Sequence, residues 1–101
     1  MVYILKKIKK RYIIIRTKIS DKEELLKKLV NAIMYAFGLE GLSRTRPTVI
    51  YSKDNKHVVA IDKDGVDYLR AALVFSLYED VKILRITGTS RKAKRIVDSL
   101  K

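Results

Sequence analysis

The chain has 101 residues, of which 48% are hydrophobic, and it carries a formal net charge of +12 without a single cysteine. We therefore expect one folded domain over residues 1–101, and we exclude a disordered basic tail, disulfides and thiolate metal ligands. No apolar run reaches the ~18 residues of a membrane span. Val2 to Leu5 precede the first lysines, whereas a secretory signal has its basic residues before its apolar segment. We therefore expect a cytoplasmic protein without membrane contact.

The first predicted elements are a strand and a helix. Residues 11–18 are β-branched and aromatic around a continuous apolar centre, which predicts a strand buried on both faces. Ser20 followed by Glu23 has the spacing of a capping box and predicts a helix over 21–37. Gly38 suits the left-handed position that ends such a helix, so we expect a loop after it.

The rest of the chain alternates between strands and helices. Asp54 and Asn55 lie between two apolar runs and predict a two-residue hairpin turn. Asp64 stands where the N-cap of the following helix is expected. In chain order, these further elements are a strand over 48–53, a strand over 57–62, a helix over 65–78, a strand over 81–87 and a basic helix from residue 90 to the end.

This order, βαββαβ followed by a helix, predicts an α+β fold. Two right-handed crossovers joined by a hairpin build an antiparallel sheet of four strands with two helices on one face. The arrangement is the ferredoxin-like α/β sandwich, in which the first and last strands are usually neighbours, and a C-terminal basic helix is added to it here. RNA-recognition domains share this fold, but a fold alone does not define a function.

The positive charge is concentrated at the two ends of the chain. Residues 1–20 contain seven basic residues and no acidic one, and residues 82–101 contain seven basic residues and one acidic one. The segment between them, with nine basic and ten acidic residues, is near neutral. Such a concentrated excess indicates a binding face for a polyanion, and nucleic acid is the first candidate.

The stretch from Gly88 to Arg95 combines a glycine turn with a basic helix start. Helix N-termini normally collect acidic residues, because the macrodipole places partial positive charge there. Here Thr89 or Ser90 can cap the helix, and the free N–H groups of Ser90 and Arg91 would face a bound anion that Gly88 lets approach. A solvated helix face is the alternative interpretation. The predicted RNA-binding residues are Lys9, Lys10, Arg11, Gly88, Thr89, Ser90, Arg91, Lys92, Lys94 and Arg95, with Arg44 and Arg46, in the loop after the first helix, as further candidates.

The sequence contains no recognisable catalytic centre. His57 is the only histidine and has no cysteine or second histidine to act with, so a structural or solvated role is favoured. The carboxylates Asp62, Asp64 and Asp67 surround a strand-to-helix turn, where capping explains them better than acid–base chemistry or a metal. No glycine-rich phosphate loop occurs. We therefore expect no catalytic residue, no metal site and no cofactor on the protein.

Aromatic residues give two further expectations. The first strand offers Tyr12, but the third strand has no Phe or Tyr, so base stacking of the RNA-recognition type is disfavoured and RNA binding through charge and shape is favoured. The second helix is apolar most of the way round, which predicts a protein interface through Tyr68, Phe75 and Tyr78. The alternative is that the C-terminal helix folds back and covers this surplus apolar surface.

The pattern resembles the small protein subunit of ribonuclease P found in archaea and eukaryotes, known in archaea as protein component 2. The resemblance spans about residues 8–97, and its most specific part is the motif from Thr87 to Lys94. Two departures are that Ser90 replaces the more usual aliphatic residue and that the longer terminal extensions of some relatives are missing. The matching segments are Lys9-Lys10-Arg11-Tyr12-Ile13, Gly38-Leu39-Glu40-Gly41, Leu69-Arg70-Ala71-Ala72-Leu73 and Thr87-Gly88-Thr89-Ser90-Arg91-Lys92-Ala93-Lys94.

The resemblance implies a role in a ribonucleoprotein. In that family an RNA with bound Mg²⁺ removes the 5′ leader from precursor tRNA, and the protein supports the catalytic RNA together with a barrel-fold protein subunit and tends to self-associate. The implied partners are thus ribonuclease P RNA, precursor tRNA, the other protein subunits and a second copy of the chain. Two alternatives remain open at this stage: a stand-alone nucleic-acid chaperone of the same fold, and a small ligand-binding regulator of ferredoxin-like type.

Overall fold

The computed structural model describes residues 9–75 and 80–100, but not the side chain of Phe75. These residues form one antiparallel sheet of four strands and three helices. The strands predicted from the sequence are all present, and β2 has the predicted bounds. The elements are β1 (Lys10–Arg16), α1 (Lys22–Thr45), β2 (Thr48–Lys53), β3 (Lys56–Asp62), a 3₁₀ turn (Lys63–Gly65), α2 (Val66–Phe75), β4 (Lys82–Thr87) and α3 (Ser90–Ser99).

The sheet has the strand order β2-β3-β1-β4, so the first and last strands are neighbours, as expected. The central strand β1 is buried on both faces, which confirms the interpretation of its apolar run. Ile13 and Ile15 pack with α1 and α2 on one face, whereas Ile14 packs with α3 on the other. The protein is therefore built in three layers, with helices on both sides of the sheet, an arrangement compatible with a ferredoxin-like fold that has an added helix.

The start of α1 differs from the predicted capping box. Asp21 is the N-cap rather than Ser20, and its Oδ1 accepts a hydrogen bond from the backbone N–H of Glu23 at 3.0 Å. The carbonyl of Asp21 also accepts from Leu25 N–H at 3.0 Å, as the first turn of the helix requires. Both residue types cap well, so the sequence pattern alone could not distinguish two adjacent candidates.

The end of α1 also differs from the prediction. Gly38 has the expected positive φ of 70°, but with ψ of −159° it kinks the helix instead of ending it, and helical turns resume and continue to Thr45. The predicted loop is consequently a short helical segment. Arg44 lies in the last turn of α1, and only Arg46, the C-cap with φ of 43°, has left the helix. The expectation that both arginines lie in a loop was wrong for Arg44.

The start of α2 packs closely against the end of α1. Asp64 is not the N-cap of α2 that the sequence suggested. It lies inside the 3₁₀ turn that precedes α2, where it is exposed to solvent. Gly65 is buried, and a Cβ at this position would lie 2.5 Å from Thr45 Cα and 2.7 Å from the Arg44 carbonyl oxygen. Only glycine lets the two backbones approach this closely.

A β-bulge lies on each outer strand of the described sheet. In β4, Ile14 pairs with Arg85 but Ile15 pairs with Ile83, so Leu84 is the extra residue. In β2, Val49 pairs with Val59 but Tyr51 pairs with Val58, so Ile50 is extra. Since one additional residue reverses the alternation of side chains, the bulges turn Arg85 and Tyr51 toward the sheet face that carries α3.

Candidate nucleic-acid interface

A basic groove lies between α3 and the outer strand β4. It has a volume of about 350 Å³ and an open, solvent-facing mouth. We define the α3 groove by its lining residues, which are Arg85, Thr89, Arg91, Lys92, Arg95 and Ile96. Three arginines and one lysine thus face a common space, with the apolar side chain of Ile96 at its wall.

The local sequence explains why the helix begins at this groove. Thr89 is the N-cap, with its Oγ1 accepting from Lys92 N–H and its carbonyl accepting from Ala93 N–H, each at 3.2 Å. Within the described residues, the N–H groups of Ser90 and Arg91 have no hydrogen-bond partner, as expected for the first turn of a helix. The first turn contains no acidic residue, so helix dipole and side chains both contribute positive potential.

Arg85 is the residue that sequence reasoning missed. In a regular strand it would share a face with Ile83, which packs in the core against α1 and α2. The bulge at Leu84 instead brings Arg85 beside Ile14, on the face where α3 lies. The sequence gives one sign that the alternation of buried and exposed side chains breaks here. Arg85 is the only charged residue in the apolar segment from Ile83 to Ile86.

The other side of α3 has a different character. Lys94 places its Nζ 5.9 Å from the centre of the Tyr51 ring, within the range of a cation–π contact. Asp98 accepts a hydrogen bond from Tyr51 Oη at 2.8 Å and pairs with Lys53 Nζ at 3.3 Å. The predicted RNA-binding cations of α3 therefore divide: Arg91, Lys92 and Arg95 line the α3 groove, whereas Lys94 contacts Tyr51 of β2.

These contacts shift the protonation of two groups at the surface. The hydrogen bond from Tyr51, followed by that from Lys53, lowers the pKa of Asp98 below its usual range. The same hydrogen bond raises the pKa of the Tyr51 phenol. Both shifts favour a charged Asp98 accepting from a neutral Tyr51, which fixes the end of α3 on β2.

The N-terminal cations lie at the same end of the sheet as the start of α3. Tyr12 pairs with Thr87, so the beginning of β1 is adjacent to the end of β4, where Gly88 follows. Lys9 is exposed, and the Arg11 side chain donates to the Lys10 carbonyl at 3.0 Å. Lys9, Lys10 and Arg11 are therefore brought close to the start of α3, because β1 and β4 are neighbours as expected.

Asp62 neutralises two of the predicted RNA-binding residues. Its Oδ1 lies 2.7 Å from Lys10 Nζ and its Oδ2 lies 2.8 Å from Arg46 Nε. Burial, the largest influence, raises the pKa of this carboxyl, but the hydrogen bonds and charges of Arg46 and Lys10 together outweigh it and lower the pKa. Arg44 pairs with Glu40 at 3.5 Å. These three cations are less available to a phosphate than the arginines of the α3 groove.

The double pairing of Asp62 predicts a pH dependence of stability. Since its pKa is lowered in the folded state, the stabilisation is complete above the unfolded value of about 4 and is lost as the pH falls below it. We expect Asp62→Asn to lower the free energy of unfolding by about 1–2 kcal/mol at pH 7. Urea unfolding of both proteins between pH 7 and 3 should show this difference shrinking toward acid; a difference independent of pH would contradict the ion-pair explanation.

The sheet face under α3 is covered rather than open to bases. Ala93 and Val97 of α3 are buried against Ile14 and Val58, and the ring of Tyr12 packs against this cluster. A stacking platform of the RNA-recognition type needs exposed aromatic rings on this face. The covered face agrees with the expectation that Tyr12 does not serve this purpose.

Among the candidate catalytic residues, His57 and Asp62 make structural contacts, whereas Asp64 and Asp67 are exposed. His57 is buried between Ser52 Oγ, 2.7 Å from its Nδ1, and the Ile19 carbonyl oxygen, 2.8 Å from its Nε2. Because a carbonyl only accepts, Nε2 carries the proton and holds the segment after β1 against β3. Asp67 is exposed at the start of α2. Among the residues that the structure describes, no group of three His, Cys, Asp or Glu side chains could hold a metal ion.

The predicted protein interface on α2 is described only in part. Tyr68 is half-buried, and its ring meets Phe37 of α1 edge-to-face with centroids 4.9 Å apart. The Phe75 side chain and Tyr78 lie outside the described residues. Other apolar side chains on these helices are strongly exposed, namely Tyr35 (83%), Leu39 (74%) and Val74 (72%). The apolar stripe of α3 packs on the opposite side of the sheet, so it does not cover α2.

Comparison with known proteins identifies no family. No protein-family model matches the chain, and no curated protein is significantly similar to it in sequence. Separately, no helix in residues 9–75 and 80–100 is long and apolar enough to cross a membrane.

Proposed function

We propose that this protein is an RNA-binding subunit of a ribonuclease P-type ribonucleoprotein, with a ferredoxin-like fold, and that it supports a catalytic RNA in removing 5′ leaders from precursor tRNA. The observation that carries the proposal is the α3 groove, where Arg85, Arg91, Lys92 and Arg95 surround one space beside a helix start with free amides. Phosphate oxygens are the ligands that such donors bind best.

Two further observations support a phosphate-directed role. Lys9, Lys10 and Arg11 lie at the same end of the sheet as the start of α3, so part of the charge of both chain ends is brought together there. In addition, the motif from Thr87 to Lys94, on which the resemblance to the ribonuclease P subunit rests, forms the end of β4, the cap and the first turns of α3. Three of the six residues that line the groove, Thr89, Arg91 and Lys92, thus belong to this motif.

The proposal is tested by reconstitution. Purified protein would be combined with ribonuclease P RNA and precursor tRNA, with and without the other protein subunits. We expect the mixture lacking this protein to cleave more slowly, especially at low Mg²⁺, because the cations offset repulsion between RNA phosphates. The protein without RNA should not cleave at all.

Two outcomes would contradict this function. Cleavage by the RNA-free protein that Asp62→Asn or Asp64→Asn abolishes would assign catalysis to the protein itself. If leaving out the protein changes no rate in any mixture although it binds RNA tightly, a stand-alone RNA chaperone is the better description. That second candidate is favoured by one feature of the α3 groove: its described lining is cationic, which suits phosphates, and contains no aromatic ring that could read a base.

A further inference from the structure

A row of four cationic side chains crosses the sheet at the end where the β2–β3 hairpin lies. Arg16 of β1 pairs directly with Lys82 of β4 on one side and with Lys56 of β3 on the other, and Lys56 pairs with Lys53 of β2. We call these four residues the cross-strand row. Each strand contributes one cation, and none of the four was among the candidates from sequence.

The row lies on the same face of the sheet as α3. Side chains at paired positions share a face, and two residues before Arg16 along β1 stands Ile14, which packs against α3. The contact between Lys53 and Asp98 of α3 places the β2 end of the row on this face as well. Since neighbouring strands are about 4.8 Å apart, the row spans about 14 Å.

Directly opposed like charges destabilise a sheet, so the row needs an explanation. Only Lys53 has an anionic partner within the described residues. Lys56 is 7% exposed, and its side chain makes neither a hydrogen bond nor an ion pair with the described residues. Because no fully buried side-chain nitrogen in that part of the structure lacks a partner, its Nζ reaches the surface while its stem is buried.

Strand β4 connects the row to the α3 groove. Lys82 belongs to the row and Arg85 to the groove, and the bulge at Leu84 places both on the α3 face. Arg16 and Lys82 also line a recess of about 570 Å³ at the hairpin end, where Asp80 is held by Thr17 Oγ1 at 2.9 Å. Cationic side chains thus follow one another from the start of α3, along β4 and across the sheet end, with Asp80 in the recess and Asp98 beside Lys53 as the neighbouring carboxylates.

We infer that the cross-strand row is a second phosphate-binding surface, which takes the backbone of the same RNA strand that enters the α3 groove. The inference rests on the proposed function for the identity of the ligand as RNA. A linear polyanion matches a linear row of cations, and it removes the like-charge repulsion that the free protein carries. Lys56 should contribute most to this binding. Burial fixes the aliphatic part of its side chain, and its ammonium group does not have to break an ion pair before it binds a phosphate.

The first test compares two variants that remove the same charge. The row variant carries Arg16→Gln, Lys56→Met and Lys82→Gln, and the α1 variant carries Lys22→Gln, Lys27→Gln and Lys28→Gln, all exposed on the helix across the sheet. Binding of a labelled oligouridine strand would be measured over a range of salt concentrations. We expect the slope of log affinity against log salt to become shallower by about 2 in the row variant and to stay unchanged in the α1 variant.

The second test separates binding from a structural role. Lys56→Met alone should raise the Tm in low salt, since it removes repulsion from Arg16 and Lys53, while weakening oligouridine binding. A lowered Tm, or an unchanged salt slope in the row variant, would overturn the inference even if reconstituted cleavage depends on the protein. If the row variant has a shallower salt slope but leaving the protein out of the reconstituted mixture does not change cleavage, the cross-strand row binds RNA and the ribonuclease P function is contradicted.

Discussion

Replacing Val97 with aspartate should release α3 from the sheet and abolish tight RNA binding with it. Val97 is 1% exposed and packs with Ala93 against Ile14 and Val58. A carboxylate there would be buried without a partner, so the helix should undock and leave an apolar sheet face in water. We expect the free energy of unfolding to fall by about 3 kcal/mol, from lost apolar burial on both sides of the contact.

Urea unfolding and RNA titration would be measured on the same samples. Ser99→Asp is the matched control, because it adds the same charge to an exposed position of α3. The control should remain folded and keep most of its RNA affinity. If Val97→Asp instead binds RNA more tightly, the uncovered face with Tyr12 and Tyr51 is itself the binding surface, and the α3 groove has been assigned wrongly.

The fold was accessible from the sequence wherever local chemistry decides. The apolar run in β1 and the hairpin turn at Asp54 and Asn55 each depend on only a few residues, and both predictions are confirmed. Asp54 takes a φ of 56° in this turn. Gly38 shows the limit of this reasoning. Its positive φ was predicted, but not that helical turns resume after it and end at Thr45, which packs against Gly65, a residue distant in sequence.

The site was harder to predict because it depends on register. If side chains alternated regularly, Arg85 would face the core with Ile83, and Tyr51 would share a sheet face with Val49. One extra residue in each outer strand turns both side chains to the opposite face, which carries α3. A bulge has no reliable signature in a single sequence, since it arises from the fit of a strand to its neighbour and to α3. The cross-strand row was missed for the same reason, because charges from four strands meet only once the pairing is known.

Removing the three arginines of the α3 groove should weaken RNA binding strongly while leaving α3 in place. Arg85, Arg91 and Arg95 line one space, and none of them forms an ion pair within the described residues. If each neutralises one phosphate, changing all three to alanine should make the salt slope shallower by about 2 and weaken binding by about a hundredfold at 0.1 M salt. Equilibrium titration with single-stranded RNA of several base compositions would measure this.

The pattern of losses distinguishes a groove from general charge attraction. The loss should be similar for every base composition, since phosphates and not bases are contacted. Arg91 should be the most costly single change, because its side chain and the open amides of the helix start act on the same phosphate. Arg85→Ala should weaken binding as well, although the sequence did not point to it. If the α1 variant loses as much RNA affinity as the triple arginine variant, binding depends only on net charge, and α3 is a solvated basic helix.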